Sequence, residues 1–247
     1  MSPARIAVVV VAVLALSAAP RARAGVLIEG TSGGDRESKG PERFLLDGQN
    51  VRIESKNGEH AMIFDGAAKR MIQLDAPSRS YTEITQDDMA KVKAMMGQRG
   101  GAPERKPLSR RYEKTGKTDT ALGKSCDVYR AVGSDGKSHE ELCVAPFGTF
   151  GVERSDFDGF RALGTYASSL AGREGESSWA DLPGIPLIGW NTRNGAREES
   201  FRATKVEKRS IPASEFAPPA GWTKKPGPAE QLEQLQLRQM QKGAGHK

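Results

Sequence analysis

Two cysteines, three histidines, the neighbouring acids Asp87-Asp88 and Glu140-Glu141, and a group of methionines are the side chains of this chain that could do chemistry. Cys126 and Cys143 stand far outside the Cys-x-x-Cys spacing of thiol redox centres and zinc sites, so a structural bridge is the expected role. His60, His139 and His246 fall in separate segments and form no spaced ligand pair, so neither a metal nor a cofactor is expected. Asp87-Asp88 and Glu140-Glu141 invite a general acid and base. Neighbours on a strand point to opposite faces, however, and two acids at a helix start answer its N-terminal partial charge. The sequence contains no Gly-x-Ser-x-Gly elbow, Walker loop or dinucleotide fingerprint, and the expectation is a protein that is not an enzyme. Met62, Met71, Met89, Met95 and Met96 crowd one half of the chain. They suit Cu(I), a soft apolar lining or ordinary core packing, the last being the first expectation.

The elements that must position these residues read mainly as strands. Residues 26–84 repeat short β-favouring runs such as Val51-Arg-Ile-Glu54, His60-Ala-Met-Ile-Phe64 and Arg70-Met-Ile-Gln-Leu74, broken at Asn57-Gly58, Asp65-Gly66 and Ala76-Pro77. That spacing predicts an antiparallel meander, buried on one side. Cys126 to Val132 and Ser138 to Val144 flank Gly133-Ser-Asp-Gly136 as a hairpin. A loop centred on Ser134 and Asp135 sets Cys126 opposite Cys143, where facing Cβ atoms lie about 4.5–5.5 Å apart. Thr85 is placed to cap a helix bearing Met89, Val92 and Met96 at helical spacing. A second helix is expected from Ser155 or Asp156 to Ala171, with Phe157, Phe160, Leu163, Ala167 and Leu170 on one stripe. Residues 97–107 read as a linker or flap, and a pair of polar strands is expected from about Arg197 to Ile211. The Gln-rich residues 226–247 read as a frayed helix or flexible tail.

Residues 1–24 predict a secretory signal peptide: Arg5, an apolar run over residues 6–19, then Ala22-Arg23-Ala24 before Gly25. The run is short of the ~20 apolar residues that span a bilayer, so cleavage between Ala24 and Gly25 is expected to leave no transmembrane segment. Removing Arg5, Arg21 and Arg23 halves the formal net charge from +6 to +3. With acids and bases interspersed, a nucleic-acid partner is not expected. The expected location is the periplasm or the extracellular medium. An oxidising compartment favours the cysteine bridge there.

In order along the chain, Val51 to Glu54, Ile63-Phe-Asp-Gly66, Ser80-Tyr-Thr-Glu83, Gly123-Lys-Ser-Cys126-Asp-Val-Tyr129, Glu141-Leu-Cys-Val-Ala-Pro146 and Phe216-Ala-Pro-Pro-Ala-Gly-Trp222 carry a resemblance. The chain resembles a family of secreted bacterial domains of unknown function related to the LolA-like, lipoprotein-carrier superfamily. The resemblance implies a mainly β (α+β) fold over residues 25–225, a curved antiparallel sheet forming a half-barrel with covering helices. It further implies a hydrophobic cavity or lid drawn from Met62, Phe64, Met71, Met89, Val92, Met96, Phe157, Phe160 and Leu163. The expected function is a periplasmic carrier or binding protein for a lipid, acyl chain or lipid-modified protein. The alternative is a non-catalytic cell-envelope module with a self-filled core that meets a partner protein.

Overall fold

Strand alternation and tight turns build most of the molecule. The computed structural model describes residues 23–33, 40–55, 58–97, 111–132, 139–170, 181–193 and 195–244. Residues 1–22 of the expected signal peptide (residues 1–24), most of the linker (residues 98–107), the hairpin loop (residues 133–138) and the side chain of Met96 lie outside them. The first half is a meander of β1 (Arg23–Ser32), β2 (Gly40–Asp47), β3 (Asn50–Ser55), β4 (His60–Asp65), β5 (Arg70–Asp75) and β6 (Ser80–Thr85). Helix α1 (Gln86–Gly97) follows, then β7 (Glu113–Ala121), β8 (Lys124–Val132) and β9 (His139–Pro146). After α2 (Asp158–Leu170) come β10 (Gly184–Arg193), β11 (Ala196–Ile211), β12 (Thr223–Lys225) and α3 (Pro228–Ala244).

Among the described residues these strands form one curved, unclosed sheet in the order β12-β6-β5-β4-β3-β2-β1-β11-β10-β9-β8-β7. Every described pairing is antiparallel except the short β12 on β6. The architecture is mainly β and consistent with a half-barrel. One long strand supplies β11 where sequence reading expected two. It is shared, with residues 196–202 against β10 and residues 201–211 against β1. Pro186 fits inside β10 because β11 pairs with that strand only from Ile188 onward. The β7–β8 turn places Leu122 (φ 51°) and Gly123 (φ 69°) in the left-handed region, as a two-residue hairpin turn with the sheet's twist requires. Where β10 crosses β9, a Cβ on Gly184 would stand 1.9 Å from the Ala145 carbonyl oxygen. Only glycine permits that approach.

Alternation along β4 sends Met62 and Phe64 to the inner face and Ala61 and Ile63 to the outer one. The inner face carries the main core, including Val26, Phe44, Val51, Phe64, Cys143 and Leu187; α2 closes it with Leu163 and Tyr166, and the 3-10 turn before α2 adds Phe157. The expectation of one-sided burial is corrected. Ala61, Ile63, Ile72 and Leu74 are buried outside against Tyr81, Phe216 and Trp222, and Leu27, Leu45 and Ile211 likewise against Phe216. The chain after β11 supplies this cover, which the period of a strand does not reveal. A one-turn 3-10 helix (Ala213–Phe216) crosses the outer face, where the Glu215 carbonyl accepts a hydrogen bond from Arg52 Nη1 at 2.8 Å.

Thr85 caps α1 as expected: its Oγ1 accepts from the Asp88 backbone N–H at 3.1 Å, and Asp88 Oδ2 accepts from the Thr85 N–H at 3.0 Å. The second helix begins with the same device on Glu153 and Asp156 before a short 3-10 turn leads into α2. The Gln-rich stretch is a 17-residue helix, α3, packed against α1 with Ala229 buried. The expected tail thus finds a partner in α1, an element more than a hundred residues earlier.

Candidate functional site

The inner face offers two places of opposite chemistry. The first lies under α2. The 3-10 turn before it brings Phe157 onto β2, and its own amphipathic stripe brings Phe160 onto β2 and β3, where Phe44 meets Phe160 at 6.1 Å between ring centroids and stands edge-on to Phe201 at 5.7 Å. Phe64 contacts Tyr166 at 5.3 Å, and the Tyr166 hydroxyl donates to the Ile84 carbonyl at 3.1 Å. Burial, with the charge of Asp88 second, pushes the Tyr166 phenol above its ordinary pKa. Between these groups remains a cavity of about 20 Å³ lined by Ile28, Phe44, Phe157, Phe160, Pro186 and Phe201.

The residues expected to form cavity or lid are distributed as follows. Phe64, Phe157 and Leu163 are buried in the inner core, and Met62, Met71 and Phe160 pack against it half-buried. Met89 and Val92 are half-buried on α1, which packs against α3 and β6 and lies outside the inner cluster. Among the described residues helix α2 therefore covers this face, whereas Met89 and Val92 of α1 do not reach it. Ile28, Phe44, Pro186 and Phe201 were missed because they belong to strands far apart in sequence. Ala24 is exposed and Gly25 buried within β1.

The second place is a polar groove of about 390 Å³ at the other end of the same face, lined by residues of β7 to β11. Register builds it. Arg130 on β8 faces Glu141 on β9, and Glu141 faces Trp190 on β10. Arg197 on β11 faces Thr192, one alternation beyond. It lies 3.9 Å from the Trp190 ring centroid and donates from Nε to Glu141 Oε2 at 2.9 Å. Arg130 donates to Oε1 from Nε at 2.9 Å and from Nη2 at 2.6 Å. Glu141 is only 4% exposed. Burial alone would raise its pKa, but the hydrogen bonds and charges of Arg130 and Arg197 hold the carboxyl below its ordinary value. With both oxygens engaged it is suited to orienting guanidinium groups rather than to moving protons. Its sequence neighbour Glu140 accepts a hydrogen bond from the Tyr112 hydroxyl at 2.7 Å. The shared parity of Glu141 and Cys143 was the signal that could have found this cluster.

Cys126 and Cys143 are joined by a disulfide across a Cα separation of 5.3 Å, both buried in the inner core. The expected register is corrected. Val128 faces Cys143, so the bridge runs diagonally from Cys126 rather than straight across. A slip of two residues keeps both side chains on one face, and the twist of the sheet closes the diagonal. Among the described residues no group of three or more His, Cys, Asp or Glu side chains could hold a metal ion, and no helix is long and apolar enough to cross a membrane.

No curated protein matches the sequence. Among solved structures the chain is similar to PNGF-II in a C2 crystal form, with a TM-score of 0.40 and 14% identity over 81% of this chain and 30% of that one. A P21 form of PNGF-II gives a TM-score of 0.39 and 11% identity over 82% and 31%. The chain thus spans about 30% of the length of the PNGF-II chains it matches. The family model described as a domain of unknown function, DUF4412, matches residues 33–222, and the chain belongs to that family.

Proposed function

We propose that this protein is a non-catalytic binding domain of the cell envelope, a LolA-like half-barrel whose inner face is filled by its own helix α2. It meets its partner through the surface that α2 leaves uncovered. The observation that carries this reading is the cavity of about 20 Å³ beneath α2. Pockets for small ligands occupy roughly 300–1,000 Å³, so the space holds little more than a water molecule and no acyl chain. The Cys126–Cys143 bridge and the signal-like residues 1–24 support export from the cytoplasm.

A second reading keeps the hydrophobic-ligand carrier, with α2 as a cover that swings away to admit a lipid or acyl chain. It is favoured by the wholly apolar lining of the cavity, five of whose six residues carry aromatic or aliphatic chains in addition to Pro186. The cavity volume places it after the filled-core reading, reversing the order expected from sequence.

Native mass spectrometry of the chain exported to and purified from a bacterial periplasm, followed by organic extraction, separates the two. A clean apo mass that persists after incubation with envelope lipids is the expected result. A reproducible co-purifying lipid mass overturns the filled core in favour of the carrier.

A further inference from the structure

The groove over β7 to β11 carries more built chemistry than a solvated surface needs. Two guanidinium groups converge on one buried carboxylate, which leaves a unit of positive charge uncompensated between them. Glu141 is buried, whereas the side chains of Arg130 and Arg197 remain 41% and 47% exposed. The carboxylate occupies Nε and Nη2 of Arg130 and Nε of Arg197. Arg130 Nη1 and both terminal nitrogens of Arg197 are not used by it. Stacking on Trp190 fixes the plane of the second fork. Lys117 and His139 line the same groove, as does Asp119, so that Arg130, Arg197 and Lys117 face the carboxylates of Glu141 and Asp119 there, beside the His139 imidazole. Pre-oriented guanidinium forks whose remaining N–H groups find no acceptor among the described residues match the planar or tetrahedral oxygens of carboxylate and phosphate.

We propose that this groove is an oxyanion site in which Arg130 and Arg197, oriented by Glu141, take a phosphate or carboxylate group from solution or from a lipid headgroup. The inference goes beyond the filled-core reading. Helix α2 packs on β2 and β3, away from the groove, so the site stands whether the apolar core stays closed or opens.

The test is titration of the isotopically labelled, periplasm-purified chain with inorganic phosphate at constant ionic strength, following the backbone amide resonances of β8, β9 and β11 in wild type and variant and, in the wild type, the arginine Nε–Hε resonances. Saturable shifts at Arg130 and Arg197 in the millimolar range are expected. The double variant Arg130→Lys/Arg197→Lys keeps charge and pairing with Glu141, and therefore folds, but lacks the forks. Its affinity should fall at least about fivefold. Unsaturable shifts, or groove amide shifts that saturate identically in the double variant, overturn the proposal and leave the cluster a structural network. Sedimentation with phosphatidylglycerol and phosphatidylcholine vesicles then identifies the source. Binding to the anionic vesicles alone, weakened in the double variant, assigns a headgroup, whereas phosphate binding without vesicle binding assigns a soluble anion. Because these readouts follow arginines rather than bound lipid mass, their failure is distinct from failure of the filled core.

Discussion

Beneath α2 the inner face is built from Val51, Phe44 and Phe64, whereas toward β7 the same face carries Arg130, Glu141 and Arg197. Both halves follow one strand alternation. They differ in what lies over them, because a helix with an apolar stripe removes water from one end and nothing among the described residues does so at the other. Where water is excluded, rings fill the space to within about 20 Å³. Where water reaches, a buried charge survives only because two half-exposed arginines satisfy it. Cover, rather than strand pattern, decides the chemistry of each half.

The largest effect should come from uncovering the apolar half. Phe157 is 4% exposed and touches Phe147 at 5.6 Å and Phe160 at 5.8 Å between centroids. Phe157→Ala should therefore cost about 3–5 kcal/mol. For a domain of this size that lowers Tm by roughly 10 °C. Met89→Ala, on the helix that does not cover this face, should cost less than about 1.5 kcal/mol. Urea midpoints of the two variants compare the helices directly, and equal losses would mean that α1 also closes the core.

The bridge comes next. Cys126 and Cys143 are 17 residues apart, and a loop of that size contributes about 3 kcal/mol by the chain-entropy argument. Reduction, or Cys126→Ser with Cys143→Ser, should lower the urea midpoint accordingly and loosen β8 against β9 in hydrogen exchange. A midpoint indifferent to reductant would show that the sheet around the pair holds without it.

In the polar half, Glu141→Gln should cost about 1–2 kcal/mol at neutral pH, less than a fully buried pair, because both arginines can rehydrate. The dependence on pH has a definite sign. The folded carboxyl is held below its ordinary value of 4.5, so its stabilisation is complete above that value and is lost as pH falls through the lower folded one. Denaturant midpoints of the wild type and Glu141→Gln should therefore differ at pH 7 and converge under acid. A difference that persists undiminished at low pH would assign the effect to packing rather than charge.

These three sites show how far sequence carried the reading. Alternation in residues 51–84 placed the meander strands, because turn residues stand at each break and each strand pairs with its neighbour. Parity put both cysteines on one face, yet the register slipped by two, since parity cannot tell a straight pair from a diagonal one. The stripe of α2 was legible from its own period. The outer cover by Phe216 and Trp222, and the arginine cluster, depend on contacts between distant segments, which periodicity within one segment does not encode. Glu141 and Arg197 are 56 residues apart and meet only because β9, β10 and β11 lie side by side.

The smallest effect should fall on the helix pair outside the inner core. Thr85 and Asp88 exchange hydrogen bonds at the start of α1, so Thr85→Ala leaves one backbone N–H without its acceptor and should cost about 1 kcal/mol. Since α1 packs against α3 rather than over the sheet, that loss should appear as faster amide exchange in α1 and α3 with little change in β1 to β5. The Phe157→Ala variant should show the reverse pattern, with exchange rising through the sheet beneath α2. If the capping variant loosened the sheet as well, the two regions would unfold as one unit and α1 would belong energetically to the core that α2 covers. If exchange rose in α1 alone, α3 would keep its helix without α1, and its partner would have to be sought elsewhere on the surface.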